Sequence, residues 1–229
     1  MRSRIFLSAL LIILAMVTLA FGEDELKNKE DKLSYALGLN IGNSFKQQSI
    51  EIKPDIFLKG IKDAFAGGKQ LLSDDEVRET MVVLNKELAE KKAEAMKKLA
   101  EKNKEDAVTF FAENKKKEGV KTLAGGLQYK IITEGKGKSP KATDTVTVHY
   151  RGTLIDGKEF DSSYRRGEPA TFPVNGVISG WTEALQLMKA GSKWQLFLPS
   201  NLAYGEKGAG NLIGPNAALI FEVELISVK

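Results

Sequence analysis

Two hydrophobic periods divide this chain. Up to about residue 117 apolar residues recur at intervals of three and four, and beyond about residue 126 they alternate with polar ones. The alternation is cleanest over 145–152. There Val146, Val148 and Tyr150 fall on one face and Thr145, Thr147 and His149 on the other, as in a half-buried strand. The same pattern returns in Leu219, Phe221, Val223 and Leu225. Residues 127–133 alternate as well, and 194–198 reads as a further strand closed by Pro199. Asp156-Gly157 lies between two strand-like runs and predicts a tight hairpin. Residues 181–188 form the one helix expected in this half, opened by Ser179-Gly180 and closed near Gly191. One helix against about five antiparallel strands makes this an α+β domain, placed at 121–229.

The first half is helical by the same test. Leu33, Ala36, Leu37, Ile41 and Phe45 put an apolar face on 31–47. Pro54 suits a first helical turn, with Ile56, Phe57, Ile61, Ala64 and Phe65 behind it and Gly67-Gly68 as the stop. Two helices of this size bury little between themselves, so the region 23–72 is expected to seek a partner, most simply a second copy of the chain. Ser73 with Glu76 forms a capping box for a helix over 73–117, which has no proline or glycine and would be roughly 65 Å long. Val77, Met81, Leu84, Leu88, Ala95 and Leu99 stripe its first half. The stripe thins through 102–106, which is expected to stand in water, and returns at Ala107, Val108, Phe110 and Phe111. This segment reads as a stalk. The charged, then glycine-rich stretch 114–126 marks the boundary before the strands.

Residues 1–22 have the form of a secretory leader. Arg2 and Arg4 precede an apolar run over 5–19, and small residues near 18–22 suit cleavage before Glu23-Asp24-Glu25. The run is short of the roughly 20 apolar residues that span a bilayer. The chain is therefore expected to be exported, with the leader cleaved. Arg2 and Arg4 are the only charges in 1–22, and without them the formal charge of +4 becomes +2. That is too little to predict a nucleic-acid partner. The chain has no cysteine, which excludes disulfides, thiolate nucleophiles and thiolate metal sites, and a single histidine excludes a histidine-rich metal site. No cofactor is implied.

Catalytic constellations are scarce. A serine–histidine–acid triad would need His149, which alternation puts on the face opposite Tyr150. Gly205-Glu-Lys-Gly-Ala-Gly210 lacks the strand-to-helix setting and the Lys-Ser/Thr of a phosphate loop, so it reads as a mobile loop. Asp161, after Phe160 at a strand end and before Ser162-Ser163, is either a turn former or a functional carboxylate. Trp181, Tyr204 and several aliphatics fall at turns and strand ends, where a packed sheet opens into a pocket. An apolar cleft with few polar groups binds apolar or proline-bearing peptide. It also suits one reaction that needs no nucleophile, rotation about an X–Pro amide, whose barrier arises from amide resonance. On spacing alone a peptide-binding module and an isomerase both remain open.

The motifs VHYRGT at 148–153, DGKEFDSS at 156–163, VISGWTEA at 177–184, LAYG at 202–205, IGPN at 213–216 and LIFEVEL at 219–225 resemble those of FKBP-type peptidyl-prolyl cis–trans isomerases. The resemblance covers about 127–229, in order and with the family's spacing. The leader and helical region extend it to the secreted bacterial subclass typified by the macrophage infectivity potentiator. It implies a half-barrel sheet wrapped on the Trp181 helix, and a homodimer joined through the N-terminal helices, each isomerase domain carried on a long stalk helix. It implies that Tyr150, Phe160, Asp161, Ile178, Trp181, Tyr204 and Phe221 form the catalytic pocket, with Val177, Ile213 and Ala170 contacting substrate. Trp181 would be the floor under the proline ring, and Tyr150, Phe160 and Phe221 the walls. The Ile178 amide and the Tyr204 hydroxyl would hold substrate carbonyls, and Asp161 would be a polar contact at the rim. Ala170, in Pro169-Ala-Thr-Phe172, replaces an aromatic wall found in some members and predicts a more open cup. Substrates would be proline-containing unfolded chains or peptides, and the family's macrolide inhibitors are candidate ligands. The alternative activity is a dimeric chaperone that holds unfolded chains, with isomerisation incidental.

Overall fold

A computed structural model describes residues 26–68 and 70–229, and the expected leader at 1–22 lies outside the described residues. The chain divides into two compact units, one ending at Asp75 and the other running Glu76–Lys229.

The first unit carries α1 (Lys29–Gln47) and α2 (Pro54–Ala66). Asn28 caps α1 by accepting a hydrogen bond from the Asp31 amide at 2.8 Å, and the acidic Glu30 and Asp31 suit the positive end of the helix dipole. Pro54 opens α2, and Gly67 closes it at φ 63°, a left-handed conformation that glycine adopts without strain. Both helices lie where the periodicity places them. Phe45 meets Phe57 edge to face at 5.5 Å. Neither helix contains a buried residue, and Leu33, Leu37, Ile41, Ile56 and Phe65 stay exposed, Phe65 at 90 %.

The second unit contains nearly all of α3 (Asp74–Asn114), whose 41 residues span roughly 60 Å at 1.5 Å per residue. The strands β1 (Val120–Thr122), β2 (Gln128–Thr133), β3 (Thr145–Leu154) and β4 (Glu159–Ser162) follow. Then come a one-turn helix α4 (Ser163–Arg166), β5 (Ala170–Pro173), α5 (Ser179–Leu187), β6 (Lys193–Leu198) and β7 (Leu219–Val228). All pairings are antiparallel, in the order β1-β2-β6-β7-β3-β4, with β5 also on β3. The seven strands exceed the five expected for two reasons. β1 is only three residues long, and the edge beside β3 is split. β5 pairs with the start of β3, β4 pairs with its end, and residues 163–169 leave the sheet between them. The expected hairpin at Asp156-Gly157 joins β3 to β4, with Gly157 at φ 89° and the Lys158 amide bonded to the Asp156 carboxylate.

Strand alternation sorts the core. Val146, Val148 and Tyr150 of β3 are buried, as are Leu219, Phe221, Val223 and Leu225 of β7. They join Trp181, Ala184 and Leu185 of α5 in one cluster. β6 departs from strict alternation because Phe197 is buried along with Leu196 and Leu198. The last turns of α3 account for this. The ring of Phe110 lies 5.9 Å from that of Phe197, and the Gln128 side chain donates to the Phe111 carbonyl and accepts from Asn114, each at 3.0 Å. The expectation that 102–106 stands in water therefore needs correcting. Lys102 and Asp106 do face solvent as an ion pair, but Asn103 between them donates to the Pro215 carbonyl at 2.8 Å. The apolar stripe is interrupted there by a polar residue that is itself a contact.

Two leucines on α5 test this packing. Leu185 is fully buried and Leu187 is 48 % exposed. Leu185→Ala should lower the unfolding free energy by about 2–5 kcal/mol, and Leu187→Ala by less than about 0.5 kcal/mol, in urea titrations followed by circular dichroism. Equal losses would contradict the orientation of α5.

Candidate functional site

A cavity of about 690 Å³ opens between α5 and the inner face of the sheet. Its floor is Trp181, only 4 % exposed. α5 can bring the indole close because Gly180 has no side chain: a Cβ there would stand 2.7 Å from Leu198. Three strands supply rings that meet the indole nearly at right angles. Tyr150 of β3 and Phe221 of β7 each lie 5.2 Å away, and Phe172 of β5 lies 6.2 Å away. Edge-to-face contacts of this kind favour a fixed ring geometry, at ~0.5–1.5 kcal/mol per pair beyond simple burial.

Phe160 of β4 completes the wall by meeting Phe221 edge to face at 5.5 Å. Both rings lie over Gly152 of β3. A Cβ at that position would come within 2.6 Å of the Phe160 ring and 2.8 Å of the Phe221 ring. The glycine of the VHYRGT motif is thus what lets two walls close over a strand.

The polar side of the cavity is a small network. Asp161 accepts from the Tyr150 hydroxyl and from Arg166, and its Oδ1 also accepts from the Ser162 amide at 2.8 Å. Arg166 donates to the Tyr150 hydroxyl at 2.8 Å. Arg166 reaches back because residues 163–166 make one helical turn. Ser162 caps that turn on the Arg165 amide, and Gly167 ends it at φ 80°. Burial pushes the Asp161 carboxyl upward. The hydrogen bonds from Tyr150 and Arg166, the Arg166 charge and the Ser162 amide outweigh it, so Asp161 stays ionised below the usual carboxylate range. Burial and the bond to Asp161 raise the Tyr150 hydroxyl, and burial with the Asp161 charge raises Tyr204, so both phenols stay protonated donors at neutral pH. The Ile178 carbonyl accepts from Trp181 and Thr182, whereas its amide N–H has no hydrogen-bond partner among the described residues.

The cavity gathers Tyr150, Phe160, Asp161, Val177, Ile178, Trp181, Tyr204, Ile213 and Phe221 on one lining. Ala170 is not part of it. It sits opposite Val148 in the β3–β5 ladder, partly buried against the core, and the lining residue of this strand is Phe172, two positions on along the same face. The gap expected at Ala170 is therefore flanked by a ring that the sequence reading passed over, although a period of two from Ala170 points to it. His149 lies on the opposite face, as alternation requires, stacked on Tyr164 at 4.6 Å with Nδ1 3.0 Å from the Ser163 hydroxyl. The loop at 205–210 is closed rather than open-ended. Ala209 and Ile213 exchange backbone hydrogen bonds, and Leu212 joins the lining. Arg166 had no signal in the sequence, because its partners lie five and sixteen residues away across a break in the sheet edge.

Comparison with known proteins identifies the chain's relatives. The model of the FKBP-type peptidyl-prolyl cis–trans isomerase family matches residues 136–226, and that of the domain amino-terminal to FKBP-type isomerases matches residues 30–131. The outer membrane protein MIP of Legionella longbeachae is 47 % identical over 224 residues, covering 97 % of this chain and 96 % of its own. The peptidyl-prolyl cis–trans isomerase Mip of Coxiella burnetii is 47 % identical over 226 residues, covering 99 % and 98 %. The crystal structure of FkpA from Escherichia coli superposes with a TM-score of 0.70 at 44 % identity, over 89 % of this chain and 98 % of that one.

The rim network sets a sign that can be measured. Because the Asp161 carboxyl is held below its ordinary value of about 3.9, its contribution to stability is present above that pH and is lost as pH falls through the lower folded value. The carboxyl ¹³C titration of Asp161 should have its midpoint below about 3.9. Arg166→Gln should move that midpoint upward, since burial then meets less opposition. No movement would remove Arg166 from the network.

Proposed function

The chain belongs to the FKBP-type peptidyl-prolyl cis–trans isomerases and acts on proline-containing chains, and from that premise we propose how its cavity turns the amide. The observation that carries the reading is the Trp181 floor enclosed by three perpendicular rings, with one ionised carboxylate and one free phenol at the margin. The barrier to rotation, about 18–20 kcal/mol, comes from resonance that places negative charge on the carbonyl oxygen. Water stabilises that charge in the planar ground state. A prolyl ring seated on Trp181 carries its amide out of water, so the planar form loses solvation that the twisted form needs less. The rings then hold a shape nearer the twisted amide, and binding the transition state better than the ground state is what raises the rate.

Each polar group has a place in this scheme. The Ile178 N–H, at the start of α5, and the Tyr204 hydroxyl hold the carbonyls that flank the turning bond. Asp161 acts electrostatically. Ionised, and fixed by Tyr150 and Arg166, it disfavours negative charge on an oxygen turned toward it and so favours the twisted amide, in which that charge is smaller. Tyr150, Phe160, Phe172 and Phe221 supply walls, and Val177, Ile213 and Leu212 the apolar margin.

The wider setting is part of the same proposal. Residues 1–22 export the chain to the periplasm, with peripheral attachment at the outer membrane as the variant. Among the described residues no helix is long and apolar enough to cross a membrane. The exposed Leu33, Leu37, Ile41, Ile56 and Phe65 of α1 and α2 support a homodimer formed through these helices. Two linked cavities would raise avidity for an unfolded chain and speed folding steps limited by proline. A holding activity on the same helices is the second reading, and macrolides that bind this family are the ligands to try against the cavity.

Exchange kinetics on a short X–Pro peptide, measured with the full chain, test the mechanism. Asp161→Ala and Tyr204→Phe should each lower kcat/KM about tenfold or more while leaving the fold intact. Unchanged rates would leave the cavity as a binding site alone. Leu37→Asp with Phe65→Ser should convert the dimer to monomer in sedimentation velocity and leave the rate on the short peptide within about twofold.

A further inference from the structure

The loop that carries Tyr204 also carries Leu212 and Ile213 of the cavity wall, and it is cross-linked to itself. The Asn216 amide donates to the Gly205 carbonyl at 2.9 Å. Ala209 and Ile213 bond to each other at 2.9 and 3.2 Å. Gly208 turns at φ 66°, where a Cβ would lie 2.1 Å from the Ile213 carbonyl oxygen. Asn216 itself sits at φ 57°, a left-handed conformation that asparagine tolerates better than most residues. These bonds keep the loop closed, but they do not fix where the closed loop stands relative to Trp181.

α3 supplies that fixed point. Asn103 donates to the Pro215 carbonyl at 2.8 Å, and the Asn216 side chain reaches the Ala100 carbonyl at 3.5 Å. Leu99 lies under Gly214, where a Cβ would stand 3.0 Å from the Leu99 side chain and 3.2 Å from Asn103. A second cleft, of about 260 Å³, lies beside these contacts, between α3, the β3–β4 hairpin and the loop. Leu212 lines both this cleft and the aromatic cavity. One side chain thus divides the substrate site from the helix.

We propose that α3 is a brace for the apolar margin of the isomerase site, and that Asn103 is a positioning residue that sets how tightly Leu212 and Ile213 close on substrate. The proposal rests on the reading of the cavity as the substrate site. It makes the long helix part of the machinery that sets substrate affinity. The turning of the amide itself stays with Trp181, Asp161 and Tyr204, whose hydrogen bonds and ring contacts among the described residues involve no residue of α3. Loss of the brace should therefore weaken binding and spare the turnover of what is bound.

The test uses the full chain and two variants. Asn103→Asp keeps size and removes the donor, and Asn103→Ala removes the side chain. Lys102→Ala is the control, since Lys102 is exposed and, among the described residues, bonds to Asp106 alone. On an X–Pro peptide both Asn103 variants should raise KM about three- to tenfold with kcat within about twofold, as expected for loss of one part-buried hydrogen bond that acts on binding. Methyl NMR should show new shifts and broader lines at Leu212 and Ile213, with the methyls of Val223 and Leu225 unmoved. Lys102→Ala should match the parent chain. KM unchanged in both Asn103 variants would overturn the proposal. So would a fall in kcat that tracks a fall in Tm, since that is general loosening of the fold. Asp161→Ala, run alongside, keeps the two readings apart: its failure to lower kcat/KM would count against the cavity as the catalytic site, whatever Asn103 does.

Discussion

The perpendicular contact of the Trp181 indole with Tyr150, Phe172 and Phe221 is the interaction on which the rest of the structure depends. It joins α5 to three strands at once, so the same atoms that seal the core also make the floor of the cavity. A smaller side chain at 181 would leave the rings without a common partner and the sheet without its plug. The cost of such a cavity in a well-packed interior rises with the volume left empty. The proposed isomerase site and the hydrophobic core are one cluster, with the cavity side left unfilled.

That arrangement explains why the proposed chemistry rests on so few polar groups. Asp161 is the one ionised group in the lining, and its charge is held by Tyr150, Arg166 and the Ser162 amide. A lone carboxylate beside an apolar cavity would drift toward its neutral form. Here the arginine returns on a single helical turn, made possible because β4 and β5 are two short strands rather than one long one. The break in the sheet edge, which looks like an imperfection of the ladder, is what puts a cation behind the carboxylate.

The outer surface of the sheet has its own partner in the second half of α3. Phe110 on Phe197, Gln128 between Phe111 and Asn114, and Asn103 on Pro215 make a mixed seam of aromatic packing and hydrogen bonds. The sheet is therefore covered on both faces over part of its area, by α5 inside and α3 outside, and β6 loses its alternation where the two coverings overlap. By contrast α1 and α2 meet through Phe45 and Phe57 but leave Leu33, Leu37, Ile41, Ile56 and Phe65 exposed among the described residues.

Local periodicity was enough to determine the elements that fold by their own chemistry. Pro54 and Gly67 bound α2, and alternation assigned Val146, Val148 and Tyr150 to the core face. Asp156-Gly157 turned the hairpin, and the absence of glycine and proline ran α3 unbroken to Asn114. Nine of the ten residues that the family resemblance implies line one cavity, because the family's motifs carry the register of strands that face one another. Only the tertiary structure decided that Phe172 and not Ala170 lines the cavity, that Arg166 holds Asp161, and that Asn103 touches the loop of Ile213. Each of these depends on where two segments distant in sequence come to lie. Hydrophobic pattern records which face of an element is buried, but a polar contact such as Asn103 to Pro215 reads as a gap in that pattern until the partner is in place.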